Sequence, residues 1–175
     1  MKQRNRIGWH VLYVRSRHEK KVYSLLLENK LEAFLPLIST VRKWSDRKKK
    51  IEIPLFSSYV FVKINSPMDF YRALNINGAS AYIRFSDEYA IVRENEITHM
   101  KLLVGNKDIT NVKQAPYQPK IGQISKIKFG PLMGLECEVL QIRDKCTIQV
   151  CVNSLKQNIV ANIPSFYFSE LPNAG

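Results

Sequence analysis

The sequence predicts an α+β fold, an antiparallel sheet with helices on one face, followed by a small all-β SH3-like barrel. Three observations carry this reading. Residues 9–15 and 56–62 alternate side chains with period two, as strands in a half-covered sheet do. Helix-start signals fall between and after those strands. The last third of the chain then breaks into short strand-like runs separated by turn residues.

The first strand is Trp9-His10-Val11-Leu12-Tyr13-Val14-Arg15, with Trp9, Val11 and Tyr13 on one face and His10, Leu12 and Val14 on the other. Ser16-Arg17-His18-Glu19 has the S-x-x-E pattern of a capping box, so a helix is expected to run to about Leu31 on a Val22, Leu25, Leu26 stripe. Two strand-like stretches follow, 33–44 and 51–64, with SDRKKK as the tip of a long hairpin and Pro36 and Pro54 marking edges or bulges. Ser66-Pro67-Met68-Asp69 opens a second helix with Phe70 and Leu74 inward; Asn77-Gly78 ends it. The run AYIRF is a further strand, and Arg93 to Val104 a third helix stopped by Gly105. The order of elements is that of an α+β sandwich.

Residues 106–120 hold two prolines, many polar residues and no periodicity, which predicts an interdomain linker. Strands are then expected at 123–129, 136–143, 147–152, 157–163 and 166–169, the count and spacing of an SH3-like barrel. The domains are therefore 1–105 and 121–175.

Charge is concentrated. The chain carries 27 Lys+Arg against 15 Asp+Glu, and residues 1–50 hold 14 of the cations with 4 of the acids. A localised surplus of this kind points to a polyanionic partner such as nucleic acid. Its first part is Arg15, Arg17, His18, Lys20 and Lys21 at a strand–helix junction, where backbone N–H groups and cations converge on phosphate. Its second part is Arg42, Lys43, Arg47, Lys48, Lys49 and Lys50 around the hairpin tip, readable as an electrostatic arm or as a solvated charged turn.

Several classes are disfavoured. Cys137, Cys146 and Cys151 have no CxxC spacing, so neither a disulfide framework nor a zinc site is expected. No metal or cofactor is predicted. The N-terminus lacks the apolar run of a signal peptide, and no apolar run approaches membrane-spanning length, so a cytoplasmic protein without a membrane partner is expected. Walker, GxSxG and HExxH motifs are missing, and nothing specific supports an enzyme.

The most informative segment is Phe56-Ser57-Ser58-Tyr59-Val60-Phe61-Val62. Alternation puts Val60, Val62 and Ile64 on one face and Tyr59 and Phe61 on the other. One sheet face then carries Trp9, Tyr13, Tyr59 and Phe61. Left uncovered, it would be a partner-binding patch. Covered by the third helix or the linker, it would be ordinary core.

Together, Trp9-His10-Val11-Leu12-Tyr13 and Pro54-Leu55-Phe56-Ser57-Ser58-Tyr59-Val60-Phe61-Val62 resemble the N-terminal domain of the NusG family. Gly122 with Gly130-Pro131-Leu132-Met133-Gly134 resembles a KOW domain. The stretches YVRSRHEKKV and RKWSDRKKK are most similar to the UpxY-type paralogues that antiterminate capsular-polysaccharide operons. The resemblance implies a monomeric, non-enzymatic elongation factor. Trp9, Tyr13, Phe56, Tyr59 and Phe61 would dock on the clamp helices of the largest RNA polymerase subunit. Asp69, Phe70, Tyr71 and Arg72 would meet the opposite jaw. Arg15, Arg17, His18 and Lys20 would touch the non-template DNA strand, with nascent RNA as the other nucleic-acid candidate. Leu155 and Gln157 stand where ribosome- or Rho-binding members carry an exposed aromatic and an Arg, which implies weak binding of either partner. Ser57-Ser58 replaces the family's Pro-Gly, and Cys137 replaces a KOW glycine. The other reading is a general NusG-like factor or a KOW-bearing RNA- or ribosome-binding adaptor.

Overall fold

The structure is a computed structural model that describes residues 7–43, 48–85, 88–115, 124–127, 131–142, 145–164 and 167. The chain divides into two compact units, Met1–Glu94 and Asn95–Gly175.

The first unit is built on β1 (Gly8–Val14), α1 (Glu19–Glu28), β2 (Ala33–Phe34), β3 (Leu37–Lys43), β4 (Lys48–Pro54), β5 (Tyr59–Ile64), α2 (Pro67–Leu74), β6 (Ala79–Tyr82), β7 (Arg84–Phe85), β8 (Glu88–Tyr89) and β9 (Ile91–Val92). Its main sheet runs β2-β5-β1-β6, with β9 also on β1. β1 and β5 are antiparallel in the register His10↔Val62, Val11↔Phe61, Leu12↔Val60, Tyr13↔Tyr59. Directly opposed residues share a face, so the two faces expected from alternation are the two faces formed. Val22 and Leu26 of α1 and Phe70 and Ala73 of α2 are buried in one cluster with Leu12, Val14, Val60, Val62 and Ile64. Both helices thus cover the aliphatic face, as the α+β class requires. His10 lies on that face at edge-on distances of 5.7 Å from Phe70 and 5.5 Å from Tyr82. It is a core histidine of the sheet.

The start of α2 follows the sequence reading. Ser66 is the N-cap, its Oγ accepts the Asp69 N–H at 3.2 Å, and Pro67 opens the helix. The start of α1 does not. His18 is the N-cap and makes no side-chain cap bond. Arg17 takes a left-handed φ of 63°, which turns the chain before the helix begins. Ser16 is thereby too early to cap, and Glu19 is released for another partner. Past α2, Gly78 has φ +101°, and its O accepts the Arg15 N–H at 2.9 Å. A Cβ there would sit 2.9 Å from Val22 Cγ2, so only glycine fits this crossing over α1.

The hairpin also differs from expectation. Lys48, Lys49 and Lys50 lie within β4 rather than at a tip, paired rung by rung with Lys43, Arg42 and Val41. A well-anchored partner strand overrides the weak strand propensity of lysine.

The second unit contains α3 (Glu94–Gly105, from Asn95), β10 (Thr110–Ala115), β11 (Ile124–Lys126), β12 (Glu136–Ile142), β13 (Lys145–Val152), the short helix η1 (Asn153–Leu155) and β14 (Gln157–Pro164). The strands form one antiparallel sheet in the order β10-β14-β13-β12-β11. β10 is a correction to the linker reading: Lys113↔Val160 and Gln114↔Ile159 pair it to β14. Its polar sequence shows no hydrophobic alternation because none of its side chains is buried and, among the described residues, one of its edges is paired. α3 belongs to this unit, whereas the sequence reading ended the first domain at 105. The strand expected at 166–169 lies outside the described residues apart from Tyr167, which is not in a strand.

Candidate functional site

The register of β1 and β5 assembles the second sheet face. Trp9 opposes Lys63, Val11 opposes Phe61, and Tyr13 opposes Tyr59. Phe34 of β2 opposes Phe61 from the other side, with ring centroids 6.0 Å apart. Phe56 meets Phe61 edge-on at 6.1 Å, and Tyr13 meets Tyr59 edge-on at 6.3 Å. Trp9, Tyr13, Tyr59 and Phe61 thus share one face of the β1–β5 pair, with Tyr13–Tyr59 and Phe34–Phe61–Phe56 as its ring clusters.

The array is not uniformly open. Trp9 and Phe56 are 1% exposed and Phe61 0%, while Tyr13 is 45% exposed and Tyr59 half-buried. Trp9 Nε1–H donates to Glu94 Oε2 at 2.8 Å, and Lys63 Nζ sits 5.7 Å from its ring centroid, within ion-pair range of Glu32 and Glu94. Trp9, Phe56 and Phe61 are thus buried, and Tyr13 and Tyr59 are the rings of this set that reach the surface.

A second link ties the tyrosines to the cationic patch. Glu19, at the first position of α1 and buried, accepts the Ser58 N–H on Oε1 at 2.8 Å. Val14 N–H donates to Ser58 O at 2.9 Å. Ser58 has φ 62°, the left-handed conformation for which the resembled family has glycine. The carboxylate compensates for that strain by fixing the turn. Arg15, Arg17, Lys20 and Lys21 are exposed around this junction. His18 is half-buried and its Nδ1 lies 3.1 Å from Ser16 O. Glu19→Ala should cost about 1–3 kcal/mol of stability in urea unfolding, because a buried donor loses its acceptor. Glu19→Gln, which keeps an acceptor oxygen, should cost less than half of that; equal losses would assign the role to charge or packing instead. Sequence reasoning missed this contact, since S-x-x-E pointed Glu19 at a cap.

The α2 residues divide. Phe70 is core, stacked on Tyr82 at 4.1 Å, and its O accepts the Tyr82 hydroxyl at 2.9 Å. This removes it from the expected second contact. Asp69 pairs with Arg72 at 3.3 Å, and Arg72 also donates to Asn29 O. Tyr71 and Met68 are exposed large apolar side chains of this helix. Lys48 and Lys49 are exposed on β4; Arg47, Gly122 and Gly130 lie outside the described residues.

In the second unit, Leu155 is 4% exposed within η1 and Gln157 is half-buried, so neither forms a presented loop contact. Glu96 of α3 holds that loop by accepting the Ser154 N–H at 3.3 Å and the Ser154 hydroxyl. Burial pushes the nearby Cys151 thiol up, with Glu96 adding to the shift. Burial also lowers His99 despite Glu96 and Glu136. Among the described residues no cluster of His, Cys, Asp and Glu is placed to hold a metal, and no helix is long and apolar enough to cross a membrane.

The family described as "Transcription termination factor nusG" matches residues 8–101. No curated protein matches the chain. Among solved structures, Thermotoga maritima NusG, described for its domain interaction, has 18% identity over 88% of this chain and 92% of its own, with a TM-score of 0.49. An MjSpt4:Spt5 complex in conformation B has 14% identity over 87% and 90%, with a TM-score of 0.33. The family match covers more than half of the sequence and includes both strands of the aromatic array, and the chain belongs to the NusG family of non-enzymatic transcription factors.

Proposed function

We propose that this NusG-family protein is a monomeric cytoplasmic antiterminator that docks on the clamp helices of the largest RNA polymerase subunit. It promotes processive transcription of particular operons, those for polysaccharide synthesis. The observation that carries the docking is the edge-to-face pair of Tyr13 and Tyr59, which reaches the surface beside the buried Val11–Phe61 pair of the same strands. Aromatic side chains that reach the surface beside a buried core are the anchors that protein interfaces favour. Arg15, Arg17, His18, Lys20 and Lys21 form the adjoining nucleic-acid surface, directed at the non-template strand. Tyr71 and Arg72 form the second polymerase contact. The second unit is read as a KOW-type barrel that binds Rho or a ribosomal protein weakly, since Leu155 is buried and Gln157 half-buried where a contact loop would present them. A clamp held by its ligand in the closed state favours elongation, because a ligand shifts a two-state equilibrium by its differential affinity.

The test is transcription in vitro through an intrinsic terminator with the cognate polymerase. Added protein should raise the full-length fraction, more on templates from polysaccharide operons than on others. Equal read-through on all templates would make it a general factor. Increased termination would overturn the antiterminator reading.

A further inference from the structure

We propose that Glu19 is a positioning residue for the polymerase-docking surface: it holds the Tyr13–Tyr59 pair in the geometry that a partner meets. This rests on the docking reading above and adds to it the group that prepares its anchors. Ser58 is where three elements join. Its O accepts the Val14 N–H at 2.9 Å, its N–H donates to Glu19 Oε1 at 2.8 Å, and the next residue, Tyr59, opens β5. The end of β1, the first residue of α1 and the start of β5 are thus tied through one residue. Tyr13↔Tyr59 is the last pair of the β1–β5 register on this side, and the ends of a ladder are where it opens most readily. The turn that leads into it is not self-supporting. Ser58 has a left-handed φ of 62°, and the Tyr59 N–H reaches Phe56 O at 3.4 Å.

The two ends of this tie differ in rigidity. Glu19 is 7% exposed, and α1 behind it is anchored by Val22 and Leu26, both fully buried. Tyr13 is exposed and Tyr59 half-buried, and their ring contact is an edge-on one at 6.3 Å. Packing therefore fixes the helix and leaves the two rings freedom to turn. A hydrogen bond to a shielded carboxylate is stronger than one between neutral groups, so the core-anchored helix grips the open end of the ladder. The consequence lies in binding. An anchor side chain that must be ordered during docking lowers affinity, and one ordered beforehand does not. Glu19 acts through Tyr59 and, across the rung, through Tyr13, and not by contact with the polymerase.

The experiment has two arms, both on the full chain. In the first, the chain is labelled with fluorotyrosine and read by fluorine NMR, with Y13F and Y59F assigning the two resonances. E19A should move both toward the position of the free amino acid, E19Q should leave them in place, and the resonance of the buried Tyr82 should hold in both. In the second, labelled protein is titrated against RNA polymerase. E19A should weaken binding about fivefold to tenfold, the ordering cost of one or two side chains, and E19Q should stay within about twofold of wild type. Because S58G removes the left-handed strain, E19A/S58G should recover Tm lost in E19A but not the lost affinity. Should E19A fold poorly, E19A/S58G takes its place in both arms. In the Y13A/Y59A background the loss of Glu19 should add nothing. Unmoved tyrosine resonances in E19A, or wild-type affinity in E19A/S58G, would overturn the proposal and leave the docking reading intact. Wild-type affinity in Y13A/Y59A would remove the docking reading, and with it the role of Glu19 in binding.

Discussion

Phe61→Ala should destabilise the protein by about 3–5 kcal/mol, the usual cost of emptying an aromatic site in a packed core. Phe61 is fully buried, opposed by Val11 on one side and Phe34 on the other, with Phe56 edge-on. Its removal leaves a cavity at the centre of three strands that cannot close without shifting the register partners. Urea unfolding measures the loss. A cost below about 1 kcal/mol together with lost polymerase binding would return Phe61 to the docking surface that the family resemblance implies.

Tyr13→Ala combined with Tyr59→Ala should do the opposite. Tyr13 is nearly half exposed and Tyr59 partly so, so the fold should lose little, within about 1 kcal/mol per site. Affinity for RNA polymerase should fall by about 2–4 kcal/mol, the range for truncating interface anchors. That is a drop of roughly 30-fold or more. The measurement is a titration of labelled protein against polymerase. Wild-type affinity in a folded double variant would remove the clamp-helix assignment, and read-through would then have to arise elsewhere. The contrast matters: the paired tyrosine substitutions report on binding and Phe61→Ala on stability, although all three residues share one sheet face.

That contrast also shows where the sequence was legible. Alternation in 9–14 and 59–64 specified which side chains share a face, and the register Tyr13↔Tyr59 and Val11↔Phe61 bears this out. Period-two patterns carry face membership but say nothing of what lies over the face, so the burial of Trp9, Phe56 and Phe61 could not be read. The Ser66-Pro67 helix start was legible because its cap is local. Glu19 was not, because its partner Ser58 lies 39 residues away in sequence. The same holds for β10 and for Lys48–Lys50. Their strand state is imposed by partners at β14 and β3 and not by their own composition.

The inward turn of Glu19 has a kinetic consequence. It is the one acidic residue between Arg15 and Leu27, and its carboxylate is spent on a backbone donor inside the fold. Among residues 15–27 the other charged side chains are Arg15, Arg17, Lys20 and Lys21, all exposed, so an approaching polyanion meets a predominantly positive field there. Encounter rates at such a surface rise steeply as ionic strength falls.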